Sequence, residues 1–243
     1  MTKNQFSNKM NKERFIRRLF DAITPGYDGF NRIASLGMDK SWRAKTIGNL
    51  NLLPGMRVLD LACGTGDLAI EEALRMLPLG FVAACDLSHP MLRAASARLA
   101  RHPVAGWHVR LAQARAEQLP FLPGVFDAAT LGFALRNVSG LEQTFRELHR
   151  VLRPGGRIAL LEFGRPRNPA LKLGHRLWLT LALPALGLLT TGRIWPFLYL
   201  RRSILRFLDP GQVVALLESA GFKEARAEPL SAGIVVLYQA QRP

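Results

Sequence analysis

This chain predicts an α/β fold: a doubly wound, mostly parallel, seven-stranded sheet with helices before it and a helical insertion near its end. Three observations lead there. From residue 56 onward, short apolar runs alternate with amphipathic stretches, the rhythm of βα units. One run, Val58-Leu-Asp-Leu-Ala-Cys-Gly-Thr-Gly-Asp67, stops at two glycines one residue apart and passes into a helical stretch, Leu68 to Leu77. The next run, ending Ala83-Ala-Cys-Asp86, closes on an acid.

Taken in order, residues 1 to about 10 are polar and unpatterned and read as disordered. Residues 11–50 read as two or three helices. Phe15, Leu19 and Ile23 recur at helical spacing, and Pro25-Gly26 breaks that element. Strands are expected at 56–62, 80–86, 106–112, 124–132 and 156–163. Before the last, Leu141, Phe145, Leu148 and Leu152 form one helix face, stopped by Pro154-Gly-Gly156. Residues 165–206 hold eight Lys or Arg and no acid, interleaved with Leu and Trp. At Asp209-Pro-Gly-Gln212 the pattern is a capping box with Pro at the first helical position, and Gly221 ends that helix. Strands near 224–229 and 233–240 close the sheet as an antiparallel pair. The chain thus reads as one domain: a helical lid (1–50), a ligand-binding core (51–164), a basic apolar insertion (165–208) and a C-terminal helix with two strands (209–243).

With 243 residues, 49% of them apolar and 21% charged, the chain can bury a large core. Its formal charge of +15 implies a polyanionic partner, nucleic acid or an anionic membrane. Cys63 and Cys85 both end predicted strands and read as small apolar fillers in a reducing compartment. The five histidines are scattered, without metal-ligand spacing, so no metal is expected. No secretory signal is visible. The greasiest stretch, Leu177 to Leu189, is too short to span a bilayer and contains Pro184 and Gly187, so a buried or surface-lying helix is expected.

The acids around the glycine turn narrow the ligand. Gly64-x-Gly66-x-x-Ala69 also fits a dinucleotide fingerprint, but Asp60 and Asp67 beside it would repel a pyrophosphate. They suit a ligand with cationic parts, such as the ammonium and sulfonium of S-adenosylmethionine. Asp86, 22 residues after Gly64, stands where a carboxylate accepts ribose hydroxyls.

Several further segments carry a resemblance over nearly the whole chain. They are Leu19-Phe-Asp-Ala-Ile-Thr-Pro-Gly-Tyr-Asp28 with Asn31, Asp86-Leu-Ser-His-Pro-Met-Leu92, Ala116-Glu-Gln-Leu-Pro-Phe121, Phe133-Ala-Leu-Arg-Asn-Val138, Val151-Leu-Arg-Pro-Gly-Gly156, Leu160-Leu-Glu-Phe163 and Ser231-Ala-Gly-Ile-Val235. With the glycine motif, they resemble the methyltransferases that C-methylate the ring of ubiquinone and menaquinone precursors. The resemblance implies a class I, Rossmann-like methyltransferase using S-adenosylmethionine. It places Asp60, Gly64, Thr65, Gly66, Asp86, Leu87, Arg115, Ala116 and Gly132 at the cofactor. It places Arg136 at the reacting quinol, with Asn137, Tyr27 and Tyr199 as weaker candidates for orienting the ring. Three positions depart from the family pattern: Arg115 replaces an Asp or Asn, Gly132 a Ser, and Arg201-Arg202 a Pro-Glu pair.

A guanidinium stays charged and is a poor base, so Arg136 is expected to stabilise a phenolate and to serve the reaction rather than the fold. Glu162, after a long apolar run, is expected to close a hydrogen-bond network at a strand tip. The implied partners are a prenylated quinol, an anionic membrane surface and a second copy of the chain. The implied location is the cytoplasmic side of the membrane, with no nucleic acid bound. Phospholipid N-methylation, RNA methylation and a non-catalytic lipid-binding role are the competing readings.

Overall fold

Residues 3–243 are described by a computed structural model, with side chains described from Met10 onward. Three helices, α1 (Lys3–Ile23), α2 (Tyr27–Ala34) and α3 (Met38–Gly48), precede the first strand. The alternating core then runs β1 (Arg57–Leu61), α4 (Asp67–Arg75), β2 (Phe81–Asp86), α5 (His89–Leu99), α6 (Pro103–Gly106), β3 (Val109–Gln113), β4 (Phe126–Gly132), α7 (Leu141–Val151) and β5 (Leu152–Phe163). The insertion supplies α8 (Pro169–Leu177), a π-helical turn over Trp178–Ala182, α9 (Leu183–Thr191) and α10 (Trp195–Arg206). Finally come α11 (Pro210–Ser219), β6 (Lys223–Leu230) and β7 (Val235–Gln241).

The seven strands lie in the order β3-β2-β1-β4-β5-β7-β6. β1 to β5 are parallel, and β7 pairs antiparallel with both β5 and β6. Strand order reverses between β1 and β4, so the loops leaving their carboxyl ends diverge and open a crevice there. Both faces of the sheet are covered. Leu59, Leu61, Phe126, Phe145 and Tyr238 belong to one cluster, Val58, Val82, Ala84, Leu161 and Leu237 to the other. Cys63 and Cys85 are free and buried in these clusters, as fillers.

Four sequence expectations are corrected. The segment expected to be disordered is helical from Lys3; no Gly or Pro interrupts the chain until Pro25, so nothing stops the helix there. Met1 and Thr2 lie outside the described residues. The third strand begins at Val109 rather than 106, because Pro103 opens the short helix α6 first. Leu152 leaves the helix and starts β5, since the Arg242 guanidinium takes the carbonyls of His149 (2.9 Å), Arg150 (3.1 Å) and Leu152 and so caps α7 from the far terminus. Lastly, the greasy stretch is part of one continuous helix, Pro169–Thr191, whose 23 residues are long and apolar enough to cross a membrane by length and composition. Only 22% of its most apolar window is buried, so it lies at the surface.

The Asp209 capping box forms as expected, with the Asp209 N–H donating to Gln212 Oε1 at 2.9 Å.

A third cluster joins the N-terminal helices to the insertion. Leu19, Ile23 and Phe30 pack against Leu179, Leu183, Phe197 and Ile204. Phe30 and Phe197 stack at 4.3 Å between centroids. A Cβ at Gly187 would fall 2.0 Å from the Phe197 ring, so only glycine lets α9 approach α10 here. This cluster roofs the carboxyl edge of the sheet.

Candidate active site

Two cavities meet under that roof. The smaller, about 90 Å³, lies at the tips of β1, β2 and β4. Its lining includes Gly64, Asp86, Leu87, Arg115, Ala116 and Gly132, six of the nine residues expected at the cofactor. The larger, about 360 Å³, is mainly apolar and lies between α1–α3 and the insertion. Arg136, Asn137, Tyr27 and Tyr199 all line it. Phe20, Tyr27, Phe133 and Asn137 line both cavities, so the two chambers adjoin at these side chains.

The glycine turn works as its sequence implies. Gly64 and Gly66 have φ of 55° and 86°, conformations that disfavour a Cβ, and Gly66 caps α4. Asp86 reaches the turn from the next strand, accepting the Gly64 N–H at 2.9 Å and the Ser88 N–H at 2.8 Å. Burial raises the pKa of its carboxyl, an effect opposed by the N–H groups of Ser88, Gly64 and Leu87. A Cβ at Gly132 would stand 3.0 Å from Leu68 Cδ1, so Leu68 takes up the space a serine there would need. Arg115 pairs with Glu13 of α1 at 2.5 Å, giving the smaller cavity a carboxylate from the roof.

Asp60, Thr65 and Gly66, also expected at the cofactor, line neither cavity and sit beneath or within the turn. Asp60 is fully buried beneath the turn, where it accepts the Ala69 N–H at 3.1 Å and faces the Thr130 hydroxyl. Thr65 donates to Asp28 of α2 at 2.6 Å. Asp67, read as a charge aimed at the ligand, is neutralised by Arg43 at 3.0 Å and Arg98 at 2.5 Å. Both acids of the turn thus make structural contacts that hold helices in place. Of the turn and its neighbouring acids, Gly64 and Asp86 are the residues that border the smaller cavity.

At the join, Arg136 is held on all sides. Its side chain is 7% exposed, and it forms a 2.5 Å ion pair with Glu162, itself 0% exposed. It also donates to the Phe133 carbonyl at 2.6 Å, and its guanidinium carbon lies 5.0 Å from the Phe163 ring centroid. Glu162 further accepts the backbone N–H of Arg136 (3.0 Å) and of Phe163 (2.8 Å), the network expected at that strand tip. Arg136 Nε and Asn137 Nδ2 are buried donors without a hydrogen-bond partner, the kind of group a bound ligand satisfies. The Tyr199 hydroxyl donates to Asn137 Oδ1 at 3.3 Å. Burial raises the pKa of both Tyr27 and Tyr199, so near neutral pH both keep their protons and act as O–H donors.

Some contributors were given no role by the sequence. Lys12 donates to the carbonyls of Arg136 (3.2 Å) and Val138 (2.6 Å), tying α1 to the loop after β4. The Ser88 hydroxyl donates to Asp21 of α1 at 2.6 Å. His175 lines the larger cavity, and burial lowers its pKa, leaving a neutral imidazole there. Arg201 lies outside both cavities, and nothing in the structure explains its place there. Among the described residues no group of three His, Cys, Asp or Glu could hold a metal ion.

The family model for the ubiE/COQ5 methyltransferase family matches residues 7–242. The chain belongs to that family. It is 40% identical over 227 residues to a ubiquinone/menaquinone biosynthesis C-methyltransferase of Syntrophotalea carbinolica, covering 93% of each chain. It is 38% identical to a demethylmenaquinone methyltransferase of Thermus thermophilus, covering 93% of this chain and all of that one. In fold it is similar to an S-adenosylmethionine-dependent methyltransferase of Aquifex aeolicus, with a TM-score of 0.62 at 17% identity over 83% of this chain and 89% of the other. Membership makes this ubiE/COQ5-family protein a methyltransferase, and the seven-stranded sheet is the class I fold expected of it.

For this family member, Asp86→Ala is expected to weaken S-adenosylmethionine binding by roughly 1.5–3 kcal/mol, the range for a hydrogen bond to a charged group. Titration calorimetry reads this directly. Unchanged affinity would show that the ribose hydroxyls are held elsewhere.

Proposed function

We propose that the protein transfers the methyl group of S-adenosylmethionine to a ring carbon of a prenylated quinol in respiratory quinone synthesis. The observation that carries this is the junction of the two cavities at Tyr27, Phe133 and Asn137, with Arg136 in the larger one. The smaller cavity suits the cofactor: a glycine turn with no Cβ in the way, Asp86 beside it, and the orphaned Asn137 amide at its inner end. Gly64, Asp86, Leu87, Arg115, Ala116 and Gly132 would hold it, and when bound it supplies an electrophilic methyl on a sulfonium.

The rest of the chemistry belongs to the chain. A quinol carbon is nucleophilic when a ring hydroxyl releases its proton to water, and once methylated that carbon releases its own proton to water to restore the aromatic ring. The Arg136 charge lowers the cost of that phenolate, while Glu162 keeps the guanidinium fixed. Asn137, Tyr27 and Tyr199 orient the ring through hydrogen bonds. Apolar walls from α1, α2 and the insertion exclude water and accept the first part of a prenyl chain.

In this reading residues 1–50 form the lid over both chambers and the insertion forms the substrate and membrane side. Its unpaired basic residues, spaced among leucines, support docking on the cytoplasmic face of an anionic membrane. Self-association into a homodimer belongs to the same reading, and sedimentation velocity measures it. The test of function is methyl transfer from labelled S-adenosylmethionine to a panel of demethylquinols, read by mass. Product on a quinol ring carbon is expected. Transfer only to phospholipid amines would overturn it.

A further inference from the structure

On one side the larger cavity has an incomplete wall. α8 lines it with Leu171, Gly174 and His175, and Trp178 of the next turn continues that face, yet no residue of α8 is buried. Leu36 and Met38, at the turn between α2 and α3, also line the cavity and are 76% and 38% exposed. Leu36, Met38, Leu171 and Trp178 thus belong to the cavity and to the surface at once. An apolar opening of this kind marks an interaction site.

The other face of α8 shows what covers it. Leu173 and Leu177 are 61% and 51% exposed and sit beside Lys172 and Arg176. Leu181, Leu188 and Leu189 continue the exposed apolar surface along the same 23-residue helix. Around it Arg167, Lys172, Arg176, Arg193, Arg202 and Arg206 are exposed, have no acidic partner among the described residues, and have no acid near them in the insertion. Cations that ring exposed Leu and Trp match an anionic bilayer, where the apolar side enters the acyl boundary and the charges meet the headgroups. The cavity volume agrees. About 360 Å³ is near the small end of ligand pockets, room for a ring and the start of a tail but not for a long prenyl chain.

Resting on the quinol reading above, we infer that the bilayer is the missing wall. α8 lies in the headgroup layer of an anionic membrane. The opening rimmed by Leu36, Met38, Leu171 and Trp178 is a side portal: the quinol ring passes through it while the prenyl tail stays among the acyl chains. The enzyme takes its substrate sideways and never extracts it into water.

Because Cys63 and Cys85 are buried, one introduced surface cysteine can carry a polarity-sensitive fluorophore. Leu36→Cys and Leu173→Cys report on the portal and on α8. Leu79→Cys, exposed just before β2 at the opposite edge of the sheet, is the control. With phosphatidylglycerol-containing vesicles, emission should rise and shift to the blue at 36 and 173 but not at 79, and high salt should reverse the change. The double variant L173D/L177D, altered outside the cavity, should methylate a vesicle-embedded long-chain demethylquinol roughly tenfold more slowly or worse. Its rate on a short-chain, water-soluble analogue should be unchanged.

A shift at 173 without one at 36 overturns the portal, as does equal loss on both substrates. A saturable response to RNA in place of vesicles overturns it as well. If the unaltered protein methylates neither quinol, the functional reading fails instead, and the labels still decide the portal.

Discussion

Arg136→Ala is expected to slow single-turnover methyl transfer by ~10²–10⁴ and, at the same time, to lower the melting temperature by roughly 6–20 °C. The rate loss follows from removing the guanidinium that lines the substrate cavity beside Asn137 and pairs with the fully buried Glu162. The stability loss follows from what stays behind. Glu162 is 0% exposed, and without Arg136 its charge has only two backbone N–H groups to face. Stranding a buried charge costs roughly 3–5 kcal/mol. The contacts of Arg136 thus give it a part in the fold that its sequence did not announce, beside the role expected in the reaction.

A second variant separates the two roles. Arg136→Ala with Glu162→Gln removes the stranded charge and should regain most of the melting temperature while transfer stays slow. Arg136→Lys should regain some stability but little transfer, since an ammonium lacks the planar fork. Single-turnover transfer beside melting curves checks the set. If the double variant recovers transfer together with stability, Arg136 belongs to the scaffold alone.

The contribution of Asp60 to stability is also expected to fall as pH rises from about 4 to about 7, by roughly 4 kcal/mol, and Asp60→Asn should remove that part of the slope. Asp60 lies in the core beneath the glycine turn. Burial pushes its pKa from 3.8 to about 7; Asp86 and Asp67 add to the rise, while the Ala69 N–H and the Thr130 hydroxyl reduce it. Glu72, also fully buried, accepts the same Thr130 hydroxyl at 2.6 Å and is raised by burial first and by Asp60 second.

The sign follows from where each state holds its proton. An unfolded aspartate releases it near pH 3.8, whereas the folded one keeps it until about 7. Its contribution to stability is thus full below the unfolded value and is lost as pH rises through the folded one. Asparagine cannot ionise, yet its carbonyl can still accept the Ala69 N–H. Melting curves from pH 4 to 8 should show the variant gaining on the unaltered protein as pH rises, with the residual slope removed by adding Glu72→Gln. A variant that keeps the full slope, or loses stability equally at both ends, would refute the argument.

The sheet was legible because its signals are local. Strand runs, the Gly64–Gly66 turn, the Asp209 capping box and the closing strand pair each depend on residues a few positions apart, where backbone conformation is decided. Asp86 could be placed for the same reason, since a strand tip has one position relative to its own helix. The resemblance singled out Arg136 and Asn137, and both line the larger cavity.

Other features depend on contacts between distant segments. Nothing near Asp60 says that Thr130 and Glu72 will meet it, 70 and 12 residues away, in a core without a cation. Nothing near Asp67 announces Arg43 and Arg98, so a charge that looked free proved neutralised. The packing of Phe30 on Phe197, which makes the substrate roof, joins two segments with five of the seven strands between them. The sequence alone determined the strand–turn–helix order, the cofactor turn and the basic, apolar insertion. Only the tertiary structure decided which acids border the cavities and which are locked in the core, and that the insertion leaves one cavity wall open. The cost of burying a charge, and the partner that offsets it, are set by what folding brings into contact across the chain.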